Sequence, residues 1–470
     1  MGITKNKQSE ETIRRMAERA YPGLTMMECK ELTEGLCNVA YAITLSDGEK
    51  KILKIGAGDK SGYMSNEINM MDAETCAMKM LKGKIATGVP AVDYYDITRE
   101  VCSGSYFFME MLEGDNYFFN QKEYTEAQRR DINMQIGQLV KQIADTKGEK
   151  FGLLGDTEHR FDGQYDLLRY MLCNAISDAE RKNVFFFLKG EKLLEMLEKD
   201  KEIFSVVEVP SMVHYDLWEG NIFVKGSNVV GFIDWERALW GDPLMEDRFR
   251  RHTRNEDFLS GFGIEELSEN QLRRIYWYDI LLYLIMMAEG EYRMYEDDGQ
   301  YRWVAPLFRE SLEALMGDKV KYCTLCYIEK DENYLMLYRN KKENDPNEGK
   351  WIGVGGKLED GETPDRCVVR EVQEETCLVL TDYTYHGVVH FQSDKWCDEE
   401  MYLYTATGFT GEVDFDCSEG MLKWIPKKDI MELSLWEGDR IFLQYLLEGK
   451  KDIDLTLVYQ GAELVEVRSK

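Results

Sequence analysis

Gly356 to Leu378, GKLEDGETPDRCVVREVQEETCL, decides how this chain is read, because its glutamates fall at a spacing that makes chemical sense around a cation. The stretch predicts a loop followed by a helix. Gly355 and Gly356 allow close backbone approach, Thr363 suits an N-cap, Pro364 suits the first helical position, and Cys367, Val368 and Val372 form an apolar stripe. Glu371, Glu374 and Glu375 then share one helix face, where like charges three and four residues apart repel by a few tenths of a kcal/mol each, roughly, unless something neutralises them. A hard divalent ion such as Mg²⁺ does so, since it takes oxygen ligands and prefers one or two carboxylates plus substrate phosphates. Arg370 is placed to pair with Glu362 or Glu374 and so fix the helix against the loop.

Gly356, Glu362, Arg370, Glu371, Val372, Glu374, Glu375 and Leu378 reproduce the spacing of the Nudix hydrolase signature, which this segment resembles. One position departs: Cys377 stands where the family has glycine after the helix. A solvated acidic helix would account for the glutamates, but not for the glycine, arginine and Glu362 at fixed offsets. The resemblance implies Mg²⁺ or Mn²⁺ held by Gly356, Glu371, Glu374 and Glu375, the three glutamates being also the catalytic residues.

Working outward, the 470 residues are 44% hydrophobic, enough for two or three domains with separate cores. A net charge of -29 excludes non-specific grip on a nucleic-acid backbone, and it would draw in a cationic small molecule. No apolar run near membrane-spanning length and no leader pattern occur, so no membrane partner and a cytoplasmic location are expected. Eleven cysteines without a framework read as reduced thiols, and Cys323 and Cys326, in the apolar run YCTLCYI, as core residues rather than zinc ligands.

Upstream, alternation predicts a hairpin, Val39 to Leu45 and Lys51 to Ile55 about a Ser46-Asp47-Gly48 turn, whose second strand carries Lys54. A helix is expected over 64–81, a strand over Ser105 to Met111, and helices over 125–146 and 164–182. The second chemical motif is Met212 to Asp234, MVHYDLWEGNIFVKGSNVVGFID. Asp216 and Asn221 keep the D-x4-N spacing of a kinase catalytic loop, where the aspartate takes the acceptor hydroxyl proton and the asparagine holds Mg²⁺. A turn at Gly226-Ser227-Asn228 returns the chain so that Asp234 meets Asn221 at one end of a hairpin, as a shared ion requires.

HYDLWEGNIFV and GFIDWERALWGDPLMED resemble the aminoglycoside phosphotransferase and choline kinase family, small-molecule kinases of two-lobed, protein-kinase-like fold. Its motifs fall on His214, Asp216, Asn221, Asp234 to Glu236, Gly241, Asp242, Pro243 and Asp247, with Tyr215 replacing the usual glycine. The resemblance implies an ATP phosphate loop at Glu34 to Asn38, Lys54 as the ATP lysine, Glu74 (or Glu67) as its helix partner, and an adenine-gripping hinge from Glu110 and Met111. His214 is read as a hydrogen-bonding support for Asp216, and Trp218, Trp235 and Trp240 as packing residues.

The chain is thus expected to be α+β with two domains: a bilobal phosphotransferase fold over 1–316, then a Nudix αβα sandwich over 317–470, divided at Leu315 to Asp318. Over 319–467 the second domain resembles the bacterial and animal 8-oxo-dGTP diphosphatases (MutT-like), through NKKENDPNEGKWIGVGGKLEDGE, HGVVHF, MYLYTATGF and WEGDRIF. That resemblance implies a nucleoside triphosphate substrate contacted by Trp436, Asp439 and Lys357; an asparagine that such enzymes carry before G-x-G-G-K is Ile352 here. The expected function is a fusion of an ATP-dependent O-phosphotransferase, acting on a hydroxyl-bearing and cationic small molecule, with an 8-oxo-dGTP diphosphatase. Two alternatives stand beside it: a silent ligand-binding first domain, or a nucleotide sugar or other nucleoside diphosphate derivative as the Nudix substrate.

Overall fold

The computed structural model describes all residues except 1–5, 34–37, 59–61, 86–87, 342–344, 416, 418 and 470. The chain divides into two compact units, Met1–Leu315 and Met316–Lys470.

The first unit begins with the helix Glu10–Ala20, capped by Ser9 accepting from the Thr12 N–H, and ended before Pro22. Ile13, Met16 and Ala17 pack on an antiparallel five-stranded sheet. Its strands run, in spatial order, Met26–Leu32, Val39–Leu45, Lys50–Ile55, Tyr106–Glu110 and Val92–Asp96. In the hairpin Val39–Leu45/Lys50–Ile55 the first strand alternates as expected, whereas Ile52 to Ile55 of the second are all buried, Leu53 and Ile55 fully so in the core. The helix expected over 64–81 is shorter. It spans Met70–Leu81, because Asn69 adopts the left-handed region (φ 46°) and the Glu67 carboxylate accepts from the Met64 N–H at 2.8 Å, closing a turn instead.

The rest of the unit is mainly helical, built on Glu126–Ala144, Gln164–Arg181, Glu269–Arg293 and Gly299–Met316, with two small three-stranded sheets among them. Thr125 with Gln128, and Ser268 with Gln271, form capping boxes that set where two of these start. Glu269–Arg293 is buried nearly all round, which is why its sequence shows no polar face. On this bed lies the hairpin Ile222–Lys225/Asn228–Phe232, flanked by Asp115–Asn116.

The second unit is a mixed sheet ordered Trp351–Ile352, Asn333–Arg339, Lys321–Lys330, Glu399–Thr410, Val379–Ser393, Ile453–Gln460, Glu463–Ser469, with Gly420–Pro426 paired to Asn333–Arg339. Lys321–Lys330 runs parallel to Glu399–Thr410. Residues of opposite parity on that strand face opposite helices: Thr324 meets Cys367 of the helix Pro364–Thr376, and Tyr327 packs against Phe442 of the helix Glu437–Leu447. This is the expected αβα sandwich. The ten described cysteines carry free thiols, Cys326 buried in the core. Among the described residues no helix is long and apolar enough to cross a membrane.

Candidate functional site

In the first unit, the strand Lys50–Ile55 delivers Lys54 into the interior, 5% exposed. Its ammonium lies 2.6 Å from Glu74 Oε2, 2.6 Å from Asp234 Oδ1 and 3.3 Å from Glu236 Oε2. Burial works against the Lys54 charge, but Asp234, Glu74 and Glu236 outweigh it and hold the lysine well above its ordinary range. Glu74, wholly buried on Met70–Leu81, is pushed up to about 8 by burial, with Lys54 opposing. Glu67 does not reach this lysine, being engaged by Arg293 and, at 3.6 Å, Arg237. Of the two glutamates considered, the geometry thus pairs Glu74 with Lys54.

Asp234 leaves the strand Asn228–Phe232 in the left-handed region (φ 62°), a strained posture that points to a functional constraint. The Ile233 N–H donates to the Asn221 carbonyl at 3.0 Å, so the hairpin does bring Asn221 beside Asp234. Asn221 donates its amide to the Asp216 carbonyl at 2.7 Å, which fixes both residues of the D-x4-N loop and leaves the Asn221 side-chain oxygen for another partner. His214, fully buried, packs 4.3 Å from Trp235 and donates from Nε2 to the Ile233 carbonyl (2.9 Å), while Nδ1 accepts from the Asp216 N–H (3.4 Å). Burial lowers it to about 4, so it supports the loop as a neutral ring. Asp216 is pushed up to about 8 by burial, with Asp247, Glu236 and Asp234 adding to it against Arg237.

The proposed hinge is differently arranged. The Glu110 carboxylate is taken by Lys82 (2.8 Å) and the Ala91 N–H (3.2 Å), and its own N–H donates to the Ala91 carbonyl. Any grip on a base there falls to the backbone, beside an exposed Met111, not to the Glu110 side chain. Residues 34–37 of the expected phosphate loop lie outside the described residues. Asn38, at its end, donates to Glu236 Oε2 at 2.6 Å. Trp235 is buried and Trp240 packs on Gly148, but Trp218 is 41% exposed, against the expectation that it packs.

In the second unit, Thr363 stands at the N-cap with Pro364 following, but its hydroxyl makes no cap bond; the Thr363 carbonyl accepts from Arg366 and Cys367. Arg370 grips Glu362 with two parallel bonds (2.9 and 2.8 Å), reaches Glu371 (2.8 Å) and Glu374 (3.2 Å), and donates to the Lys357 carbonyl (3.0 Å). The helix is thereby pinned to the loop. A Cβ on Gly356 would sit 2.5 Å from the Glu371 carboxylate, so a side chain there would displace that carboxylate from its bond to Arg370. The Gly356 carbonyl, expected at the metal, already accepts from the Thr324 N–H at 2.9 Å and from the Cys367 thiol at 3.6 Å. Glu375 accepts from the Gly355 N–H at 3.1 Å. Burial pushes it up to about 8, with Glu419 and Glu371 adding.

Glu419 was not singled out in the sequence, and no local spacing marks it. The register that sets Arg339 opposite Gly420 carries it to Arg339 and to the neighbourhood of Glu371 and Glu375. Trp436 donates its indole N–H to Asn347 Oδ1 at 2.8 Å and has the Lys350 ammonium 5.1 Å from its ring. Asp439, on the next turn of chain, is pushed up to about 7 by burial, Lys350 opposing. Lys357 is exposed, and only its backbone joins the network described.

Both sites hold more carboxylate than nearby cations balance, which suits a divalent ion. The donors are Asn221 and Asp234 in the first, and Glu371, Glu374 and Glu375 with the Gly356 carbonyl in the second. Among the described residues no three acids yet enclose one point, Arg370 holding two of the glutamates.

Fold and site together define a phosphotransferase-like domain followed by a Nudix-hydrolase-like one. The family model of the phosphotransferase enzyme family matches residues 28–246, and that of the NUDIX domain matches residues 321–446. The uncharacterized Nudix hydrolase YvcI of Bacillus subtilis (strain 168) is 30% identical over 140 residues, spanning 29% of this chain and 85% of the relative. The chain therefore belongs, through its second domain, to the Nudix hydrolases. An oxidized purine nucleoside triphosphate hydrolase of Danio rerio is 25% identical over 120 residues, 25% of this chain and 74% of that one. The crystal structure of a protein described as a fructosamine-3-kinase from Thermobifida fusca YX-ER1 superposes with a TM-score of 0.50 at 14% identity, covering 65% of this chain and 100% of that chain. At that identity the likeness concerns the fold of the first domain alone.

Proposed function

We propose that the chain is a bifunctional enzyme, an ATP-dependent small-molecule O-phosphotransferase over 1–316 joined to an 8-oxo-dGTP diphosphatase over 317–470. The observation that carries the first reading is the Lys54–Glu74–Asp234 cluster beside Asp216 and Asn221. Lys54 would hold the donor phosphates, and Asp216 would take the proton from the acceptor hydroxyl as it attacks the γ-phosphorus, releasing ADP. The observation that carries the second is the Arg370-locked glutamate face beside Gly356. There water would attack phosphorus in the triphosphate chain and release the monophosphate and pyrophosphate. Mg²⁺ or Mn²⁺ at either donor set would supply Lewis-acid polarisation of phosphate oxygens. The oxidised purine is supported by the activity of the Danio rerio relative and by the half-buried Trp436 with the buried Asp439 next to it.

Steady-state kinetics on the intact chain test both. Asp216→Asn is expected to abolish ATP-dependent transfer and leave hydrolysis intact. Glu375→Gln should do the converse, lowering hydrolytic turnover by orders of magnitude while the fold is retained. Asp439→Ala should erode the preference for 8-oxo-dGTP over dGTP by about 1–3 kcal/mol, the cost of leaving a buried polar edge unpaired. Equal kcat/KM for the two nucleotides in the unaltered protein would remove the sanitising role, and normal transfer by Asp216→Asn would remove that aspartate from its role.

A further inference from the structure

We propose that Lys350 determines specificity in the second domain: its ammonium and the Asp439 carboxylate together read the oxidised edge of a purine, the N7–H and C8=O that unmodified purines lack. The inference rests on the diphosphatase reading above and deepens it, since the substrate class becomes 8-oxopurine nucleotides whatever stands at C6.

Asp439 is an acid in want of a partner. It is 9% exposed, yet its carboxylate makes no hydrogen bond among the described residues. A buried carboxylate left in that state is costly, and a ligand that donates to it would complete the site. The charge that opposes its burial is Lys350. That ammonium lies 5.1 Å from the centroid of the Trp436 ring and donates to the Leu435 carbonyl at 3.1 Å. The Leu435 bond spends one of its three N–H groups, which leaves donors for an incoming carbonyl oxygen. A base that approaches the Trp436 indole therefore meets a cation and an unpaired acid together. Ile352, where the resembling enzymes carry an asparagine, has no polar side chain to contribute, so polar reading of the base falls to this pair.

The pair is also held in place. Trp351 donates its N–H to the Ser434 carbonyl at 2.9 Å, Trp436 donates its indole N–H to Asn347 Oδ1 at 2.8 Å, and the Lys350 N–H donates to the Asn347 carbonyl at 3.0 Å. The segment bearing Lys350 is thus tied to the one bearing Trp436 and Asp439 before any ligand arrives, which limits the ordering cost of binding. Trp396 sets a second ring across the Trp436 indole, at 5.8 Å and 74°.

An 8-oxopurine presents a donor at N7–H and an acceptor at O8 side by side. Ionised Asp439 accepts from the first, and Lys350 donates to the second. An unmodified purine has a lone pair at N7 and only C–H at C8, so the ammonium can be satisfied but the buried acid stays unpaired. The group at C6 takes no part, and the guanine and adenine forms are read alike.

Calorimetric binding to the intact chain with Mg²⁺ tests the proposal, with 8-oxo-dGMP, dGMP, 8-oxo-dAMP and dAMP as probes. Both 8-oxo nucleotides are expected to bind tighter than their parents by about tenfold or more, the worth of a hydrogen bond to a charged group. Lys350→Met should remove most of that preference for both bases, and Lys350→Arg, which keeps a charged donor, should retain much of it. In hydrolysis assays on the four triphosphates, Lys350→Met should raise KM for the 8-oxo pair far more than it lowers kcat. A preference for 8-oxo-dGMP with 8-oxo-dAMP bound no better than dAMP would overturn the proposal, because the reading would then depend on C6. So would equal affinity or no binding across the four probes, or an unchanged preference in a Lys350→Met protein with native circular dichroism. Discrimination through Lys350 without release of pyrophosphate from any triphosphate would sink the diphosphatase reading and leave the edge reading standing. Hydrolysis of 8-oxo-dGTP with a preference that Lys350→Met does not touch would do the reverse.

Discussion

Lys54 and Arg370 each gather three carboxylates, but they do so in opposite ways. The partners of Lys54 lie 20, 180 and 182 residues away in sequence, whereas those of Arg370 lie 8, 1 and 4 residues away. Lys54 is a point charge on a side chain 7% exposed; Arg370 is a planar fork on a side chain 22% exposed, with two bonds to Glu362. The first cation ties distant parts of a fold together, and the second orients a face that its own helix already provides. The two cations should therefore fail differently when altered.

Lys54→Met should have the largest effect. It removes the cation that Glu74, Asp234 and Glu236 share, which costs about 3–5 kcal/mol where a buried charge loses its partner, and it should also abolish the proposed ATP-dependent transfer. Adding Glu74→Gln should recover part of the stability and none of the activity. Arg370→Lys keeps the charge and loses the fork; it should cost about 1.5–3 kcal/mol, as for a hydrogen bond to a charged group, and reduce hydrolysis without abolishing it. Because two domains need not unfold together, the check is hydrogen exchange on peptides spanning Lys50–Ile55 and Pro364–Thr376. An Arg370→Lys loss as large as that of Lys54→Met would erase the distinction.

The same contrast explains what could be read in advance. The Glu362–Arg370–Glu371 constellation lies within one loop and one helix, so spacing alone exposes it. Lys54 looks like any strand lysine until the kinase resemblance supplies its partners. Glu419 was out of reach, since only the pairing of Gly420–Pro426 with Asn333–Arg339 brings it to Glu375. The shortened helix at Met70 was equally hidden, because it depends on Glu67 being drawn to Arg293, far along the chain. Trp218 was misjudged for another reason: sequence shows that it is aromatic, not that Gly220 lets it lie open across the loop.

A third carboxylate-flanked cation sharpens the comparison because it titrates. His390 lies 2.6 Å from Glu400 and 3.2 Å from Asp454 on the neighbouring strands. Burial opposes its charge, but the two acids raise it above the ordinary histidine value. Protonated histidine is thus favoured by folding, so its contribution is fully present below about pH 6.5, the unfolded value, and is lost as pH rises through the raised folded value. Exchange protection of Val388 to Phe391 should fall over that window, and His390→Gln should flatten the dependence. Lys54 and Arg370 stay charged throughout and add no slope of their own, although Glu74 and Glu375 near them, pushed up to about 8 by burial, also titrate above the ordinary carboxylate range; a slope at Val388 to Phe391 that survives His390→Gln would assign it to other groups.

The smallest effect, at Cys377, comes from a contrast between two left-handed residues, one in each domain, at positions where the resembling families keep glycine. Tyr215 (φ 70°) precedes Asp216, and Cys377 (φ 62°) ends the helix that bears Glu371, Glu374 and Glu375. Each carries a side chain in a backbone region that glycine enters freely, at a cost of about 1–2 kcal/mol. Their surroundings differ. Cys377 is exposed and uses its N–H to close the helix on the Gln373 carbonyl at 2.9 Å, a bond that glycine would keep. Cys377→Gly should therefore relieve strain without losing packing, and stabilise the second domain by about 1 kcal/mol after the greater chain entropy of unfolded glycine is subtracted. Tyr215 is 5% exposed and fills the interior beneath the catalytic loop, so Tyr215→Gly loses buried aromatic surface worth about 3–5 kcal/mol and should destabilise the first domain despite the same relief. The same substitution thus changes sign between the two sites, which domain-resolved hydrogen exchange under mild denaturant can read directly. Stabilisation by both changes would mean that Tyr215 contributes little packing, and destabilisation by Cys377→Gly would mean that its side chain holds the helix end in a way its exposure does not suggest.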